Sequence, residues 1–509
     1  MKKNLSAVQK TATILCFSAT LLVCLALLSG CGRLRTPWSR IDPNAKNDKN
    51  AVTFSVADRG EKRVLTYVSA PRATEITIPD GIEEIADGAL DCPYVETLHI
   101  PKSVVYLDRK SSLYHLKKVR FAGDANDWCQ IPYACRILKE NTALYFGDTA
   151  AGSTFFIDRA EKIAPGAFAN YKKITGVTLS ESVRFVGESA FSGCADLTEL
   201  VILGEDASSA PLRIGKSAFS GCTGLTAGGC NLRRAVSVGA QTFQNCTSLA
   251  GVRLSDETTE IEPDTFSGCT ALKTVTFPEN LQTVGKQAFL GCESLQISAL
   301  PQNLKTVEAY AFSGCKSLKT APLPPALQLL GVGAFANCST LSEAVLPDGL
   351  SELLNQTFFG CTALEKVSFG KNLKRVGDGA FEDCTSLSAA TLPEGTLILC
   401  HAAFRNCSAL AAVTLPETLA VLENGVFANC ASLTEIALPL ALSRVESGLF
   451  SGCEKLRSVR YAGTLSSWEA VKKSPYWNRG GAFTAVSCTD GNAEILPAQS
   501  GRTAEIVPQ

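Results

Sequence analysis

The chain has 509 residues, enough for several ordinary domains or one long repetitive body. Hydrophobic residues make up 46% and charged residues 19%, which excludes wholesale disorder and permits a large core. A formal net charge of −1 leaves no electrostatic footprint for nucleic acid, and the three histidines (His99, His115, His401) weigh against histidine-based catalysis and most transition-metal sites. The 21 cysteines are the anomaly.

The first element is an address. MKKNLSAVQK supplies a positive start and TATILCFSATLLVCLALLSGC an apolar run, the layout of a secretory signal over residues 1–30. An uncleaved anchor is the alternative, since the run approaches the ~20 residues that span a bilayer. Leu28, Ser29 and Gly30 before Cys31 resemble the lipobox of bacterial lipoproteins, which implies cleavage before Cys31 and acylation of that cysteine. Several acyl chains on one residue anchor stably where one is marginal. Residues 31–52 then read as a polar tether. Cys16 and Cys24 would leave with the signal, and eighteen cysteines remain.

From Cys246 to Cys453 ten of them recur every 23 residues, the signature of a solenoid. Around Cys269 the apolar positions are Phe266, Leu272, Val275, Phe277, Leu281 and Val284. The same register extends upstream through Cys222, Cys194, Tyr171, Leu113 and Cys92, making about fifteen coils of ~23 residues. Val275 and Phe277 alternate with Thr274 and Thr276, so each coil carries a short strand, commonly closed by proline. Leu281 and Val284 form a second apolar pair on the return side. The segment before the cysteine has room for one helical or 3₁₀ turn. Coils stacked at the ~4.8 Å strand spacing would form a parallel sheet on one face of a body on the order of 70 Å long. The fold class is therefore a mainly β solenoid.

The unit AFxxCxxLxxVxLPxxLxxVG resembles the leucine-rich repeat of the BspA-like surface-protein family over roughly residues 75–462. VRFAGDANDW (Val119–Trp128) and VRYAGTLSSW (Val459–Trp468) end two blocks alike, and VSCTDGNAEI is similar to that family's closing segment. The domains expected are an N-terminal cap and first block at 53–128, an interruption or linking segment at 129–160, the main array at 161–462, and a C-terminal cap and tail at 463–509. A stretch of 28 residues between Cys194 and Cys222 makes GEDASSAPLR a surface loop. The resemblance implies a surface-anchored protein that binds another macromolecule.

The cysteine ladder admits three chemistries. Equivalent cysteines in adjacent coils have parallel rather than converging Cβ vectors, which disfavours a continuous disulfide ladder. Zinc needs converging pairs such as C-x₂₋₄-C, and no CxxC occurs. Burial as small apolar plugs is the expected role, with Cys230 at a core position too. Cys129, Cys135, Cys400 and Cys488 lie off the ladder and leave a disulfide or a free thiol open.

No nucleotide, zinc-protease, serine-hydrolase or EF-hand motif occurs, so neither catalytic residues, nor metal ligands, nor a cofactor are expected. Cys400 and His401 are adjacent, and adjacent side chains on extended backbone point apart. The outward strand column Arg253, Thr276, Ala299, Pro322, Val345, Ser368, Thr391, Thr414, Ala437, Arg460 is small and without an aromatic cluster. Trp128, Trp468, Tyr476 and Trp477 are expected to close the core ends. The expected partners are a membrane, through acylated Cys31, and a protein or glycan ligand on another surface. A structural envelope lipoprotein without a high-affinity ligand is the alternative.

Overall fold

A computed structural model describes residues 52–495, apart from 108, 109, 111, 139–141, 205–209 and 227–229. The signal, Cys31, most of the tether, the tip of the GEDASSAPLR loop and the tail beyond 495 lie outside the described residues.

Every coil contributes two short strands. In the coil of Cys269, Thr274–Thr276 pairs in parallel with Gly251–Arg253 of the coil before, and Thr283–Val284 pairs with Glu260–Ile261. The return-side pair is thus itself a strand, so the solenoid carries two parallel ladders with a run of turns between them. Phe266, Cys269, Leu272, Leu281 and Val284 point inward and are fully buried, while Val275 and Phe277 pack partly buried against them. There are about 18 turns, against the fifteen that the cysteine register marks. Strand pairs Ile76 with Leu98, Val119 with Leu144 and Val459 with Val486 extend the ladder where the Phe–Cys signature is missing.

The turns between the ladders need left-handed backbone at two places per coil. One is the residue before the cysteine, as in Gly268 (φ 76°), Gly291 (70°), Asn337 (60°), Asp383 (64°) and Asn406 (61°). Glycine lacks the Cβ that penalises this region, and asparagine and aspartate tolerate it best among the rest. At Gly268 a Cβ would also sit 2.3 Å from Asn245 Oδ1 of the coil below, so this position is closed twice over.

The inward phenylalanines form one continuous stack. From Phe168 to Phe450 neighbouring ring centroids are 5.2 to 6.1 Å apart and the planes lie within 17° of each other. Each buried ring contributes about 1.5–3 kcal/mol. A single coil has no second layer to cover its ring, so this burial exists only between coils.

Closure differs at the two ends. At the start the antiparallel hairpin Thr53–Arg59 and Lys62–Ser69 extends the return ladder. At the finish Ala485–Cys488 joins the outer ladder and Gly491–Glu494 folds back on it. The same device occurs internally: Ala143–Phe146 pairs with Lys118–Phe121, and Thr149–Ala150 turns back antiparallel. The next outer ladder begins with Thr154–Ile157. Segment 129–160 is packed against the coil after it, with Tyr133 N–H donating to Pro165 O (2.6 Å) and Ala164 N–H to Cys129 O (2.7 Å). Trp128, Trp468 and Trp477 fill core positions. Tyr476 does not: it is 51% exposed, in left-handed backbone (φ 63°), with Arg479 over its ring.

Candidate functional site

All eighteen described cysteines are free. The ladder thiols are plugs, as expected, but they also donate. Cys269 Sγ lies 3.1 Å from Phe243 O, and Cys292 and Cys315 repeat the contact on Phe266 O (3.1 Å) and Phe289 O (3.4 Å). The pattern runs from Cys194 to Cys453. Each acceptor is the carbonyl of the preceding coil's inward phenylalanine, which also takes the N–H of its own coil's cysteine, as Cys246 N–H to Phe243 O (3.1 Å). Cysteine therefore suits this position because it is apolar enough for the core and still offers a weak S–H to a half-satisfied carbonyl. Burial pushes Cys194, Cys269 and Cys361 up to about 12, so these thiols are protonated and inert at neutral pH.

Of the cysteines off the ladder, Cys129, Cys230 and Cys400 are buried and Cys135 and Cys488 half-buried. Cys400 Sγ lies within 4.8 Å of carboxylate oxygens of Asp378 and Glu423, from the coils on either side. Those carboxylates already have donors: Asn355 Nδ2 to Asp378 (3.2 Å) and His401 N–H to Glu423 (3.0 Å). The Arg375 guanidinium also reaches the thiol, and burial outweighs it to push Cys400 up to about 11. The trio reads as a structural polar contact between coils. His401 is exposed while Cys400 is buried, so the two do not form a thiol–imidazole pair.

The outward column of the main array is as bland in three dimensions as in sequence; Val345, 53% exposed, is its largest apolar member. Upstream the same column changes character. Strand register places Thr77, His99, Arg120 and Tyr145 side by side. Arg120 stacks on the Tyr145 ring (4.9 Å to the centroid) and pairs with Asp148 (2.8 Å) at the tip of the internal hairpin. His99 Nε2 lies 2.6 Å from Glu75 Oε1. Beside the hairpin tip is a shallow cleft of about 220 Å³ lined by Thr77, Asp80, His99, Arg120 and Asp148 among others, with Tyr145 outside the lining. Reading the outward column from Arg253 onward misses these residues. Tyr145 and Asp148 lie where the 23-residue register lapses, so only the strand pairing brings them to the column.

Cys31, the one residue assigned a covalent role from sequence, lies outside the described residues. Among the described residues no helix is long and apolar enough to cross a membrane.

No curated protein sequence matches the chain. Among solved structures, a leucine-rich repeat protein from Bacteroides ovatus is 21% identical, with a TM-score of 0.53, over 77% of this chain and 94% of that one. This likeness establishes the fold. A leucine rich cell surface protein from Faecalibacterium prausnitzii is 18% identical over 82% of this chain and 96% of its own, with a TM-score of 0.36. The family model for the BspA type leucine rich repeat region matches residues 143–230, 236–365 and 354–471. The chain belongs to the BspA-type leucine-rich-repeat family.

Proposed function

We propose that the protein is a lipid-anchored, cell-surface repeat protein that binds a macromolecule, held through acylated Cys31 and presenting its solenoid outward. The observation that carries the binding role is the clustering of His99, Arg120 and Tyr145 on the outward strand face beside the internal hairpin and its cleft. Tyrosine and arginine are among the residue types most enriched in binding hot spots. The long bland column beyond it serves as scaffold. Membership of the BspA-type family supports the surface placement.

Two experiments test the reading. Metabolic labelling with a palmitate analogue should mark the chain and be abolished by Cys31→Ala; labelling unchanged by that substitution removes the anchor. Beads carrying the purified chain should adhere to matrix proteins, to cells or to glycans. If a folded sample adheres to none of these surfaces, the structural-scaffold alternative replaces binding.

A further inference from the structure

The molecule contains its own control for the cleft. The internal hairpin and the C-terminal hairpin are two copies of one closing device. Arg120 matches Arg460, Trp128 matches Trp468, and Tyr133 matches Tyr476, both tyrosines in left-handed backbone. Arg136 over Tyr133 and Arg479 over Tyr476 repeat the same cation–ring contact. In strand pairing Tyr145 stands opposite Arg120 where Ser487 stands opposite Arg460, and His99 stands where Ala437 does. Closure therefore needs neither the histidine nor the second tyrosine.

The turn aspartates differ as well. At the C-terminal cap the helix Leu465–Ala470 begins with Thr464, whose side chain accepts from Ser467 N–H alone, and Asp490 takes Leu465 N–H at 2.7 Å. At the internal cap Asp124 closes a full capping box on the helix Ala125–Trp128. Asp148, the counterpart of Asp490, instead pairs with Arg120, where it is fully exposed. His99 and Asp148 line the cleft, and Tyr145 stands next to it under Arg120, each in a role the C-terminal cap does without.

We infer that this cleft binds one unit of a neutral glycan, a reading that rests on the macromolecule-binding function above. The polar groups alternate: Asp80 and Asp148 accept, Arg120 donates and is already matched by Asp148, and the His99 ring presents its nitrogens with Nε2 against Glu75. A phosphate or sulfate would face Asp80 and Asp148, and an ammonium would face Arg120. Sugar hydroxyls both donate and accept, so they pair with every group in the row without leaving a charge unpaired. Tyr145 lies outside the lining with Arg120 stacked on its ring, so it holds that guanidinium at the edge of the cleft. A cleft of about 220 Å³, open on one side, fits a single ring along a chain rather than a large compact ligand.

The test uses the full chain, purified in detergent, against immobilised cello-, malto-, manno- and chito-oligosaccharides, with heparin and sialyllactose as anionic probes. At least one neutral oligosaccharide should be retained. His99→Ala with Tyr145→Ser, which copies the residues the C-terminal cap carries, should weaken that binding at least tenfold, while Arg460→Ala leaves it unchanged. Retention of the anionic probes alone, binding that survives the double substitution, or no oligosaccharide retained overturns the inference. If the beads still adhere to a matrix protein and the double variant adheres equally, the glycan assignment fails and the binding function stands. If they adhere to nothing, both fall.

Discussion

Raising the pH should unravel this protein abruptly, and the thiol ladder sets where. The thirteen ladder cysteines from Cys92 to Cys453 are buried and held above the ordinary thiol value of 9.0, with desolvation as the largest cause. Below that value folded and unfolded chains both keep their thiol protons, and the full stability is present. Above it the unfolded chain sheds protons that the folded chain retains, so stability falls as pH rises. Cys269 and Cys361, at about 12, each cost about 4 kcal/mol by the time the pH reaches their folded value. Across the ladder the loss between about pH 9 and 10 is on the order of 10 kcal/mol, as large as the whole stability of many domains. Circular dichroism and thiolate absorbance, followed together in reductant, should change in one steep transition within about two pH units above 9. Changing Cys292, Cys315, Cys338 and Cys361 to alanine should make the pH dependence shallower by about a third, whatever its effect on starting stability. Strand signal that survives to pH 12 after thiolate absorbance has saturated, or an unchanged slope in the variant, would refute the argument.

Three further outcomes rest on the packing. Phe312→Ala removes a fully buried ring stacked at 5.3 Å on both sides, and should cost about 3–5 kcal/mol and split urea unfolding into two transitions as the array uncouples there. Gly268→Ala meets both a φ of 76° and Asn245 Oδ1, and should lower the urea midpoint by an amount equivalent to about 1–3 kcal/mol, whereas Asn337→Gly should change it little. Denatured, unreduced protein should titrate all eighteen described thiols, while the native protein exposes Cys135 and Cys488 first; most thiols becoming titratable only after reduction would mean disulfides.

The solenoid was legible because one coil's chemistry repeats: Phe266, Cys269, Leu272, Leu281 and Val284 are all buried where the period places them. The strands around Ile76, Leu144, Phe155 and Val486 were not, since they pack the same way without the Phe–Cys signature. The hydrogen bond of each cysteine was also hidden. Spacing shows that a residue points inward, but not that a carbonyl 26 residues earlier has a spare lone pair beside it. Tyr476 is another such case: aromatic type suggests core, whereas the residue is half exposed with Arg479 over its ring. His99 and Arg120 stood in plain register, yet their significance depended on Tyr145 and Asp148, which arrive through strand pairing and a turn rather than through the period.

That last dependence has a physical basis. A translationally repeating surface presents the same shallow relief every 23 residues, and the stacking that stabilises it selects small outward residues such as Thr276, Ala299 and Thr391. Concavity needs something to rise above the ladder, and in a parallel array every strand is covered equally by its neighbours. A hairpin that folds back at the end of a ladder supplies the missing wall. At the C-terminal end that wall faces Ala437, Arg460 and Ser487, and its aspartate is committed to capping a helix. Placed inside the chain, the same wall faces His99, Arg120 and Tyr145 with its aspartate free of capping. Exchanging the two sets, with Ala437→His and Ser487→Tyr at the C-terminal cap, should therefore not create a second site while Asp490 remains bound to Leu465 N–H. Oligosaccharide binding appearing there at full strength would show that the side-chain column suffices and that an aspartate paired with the arginine does not matter.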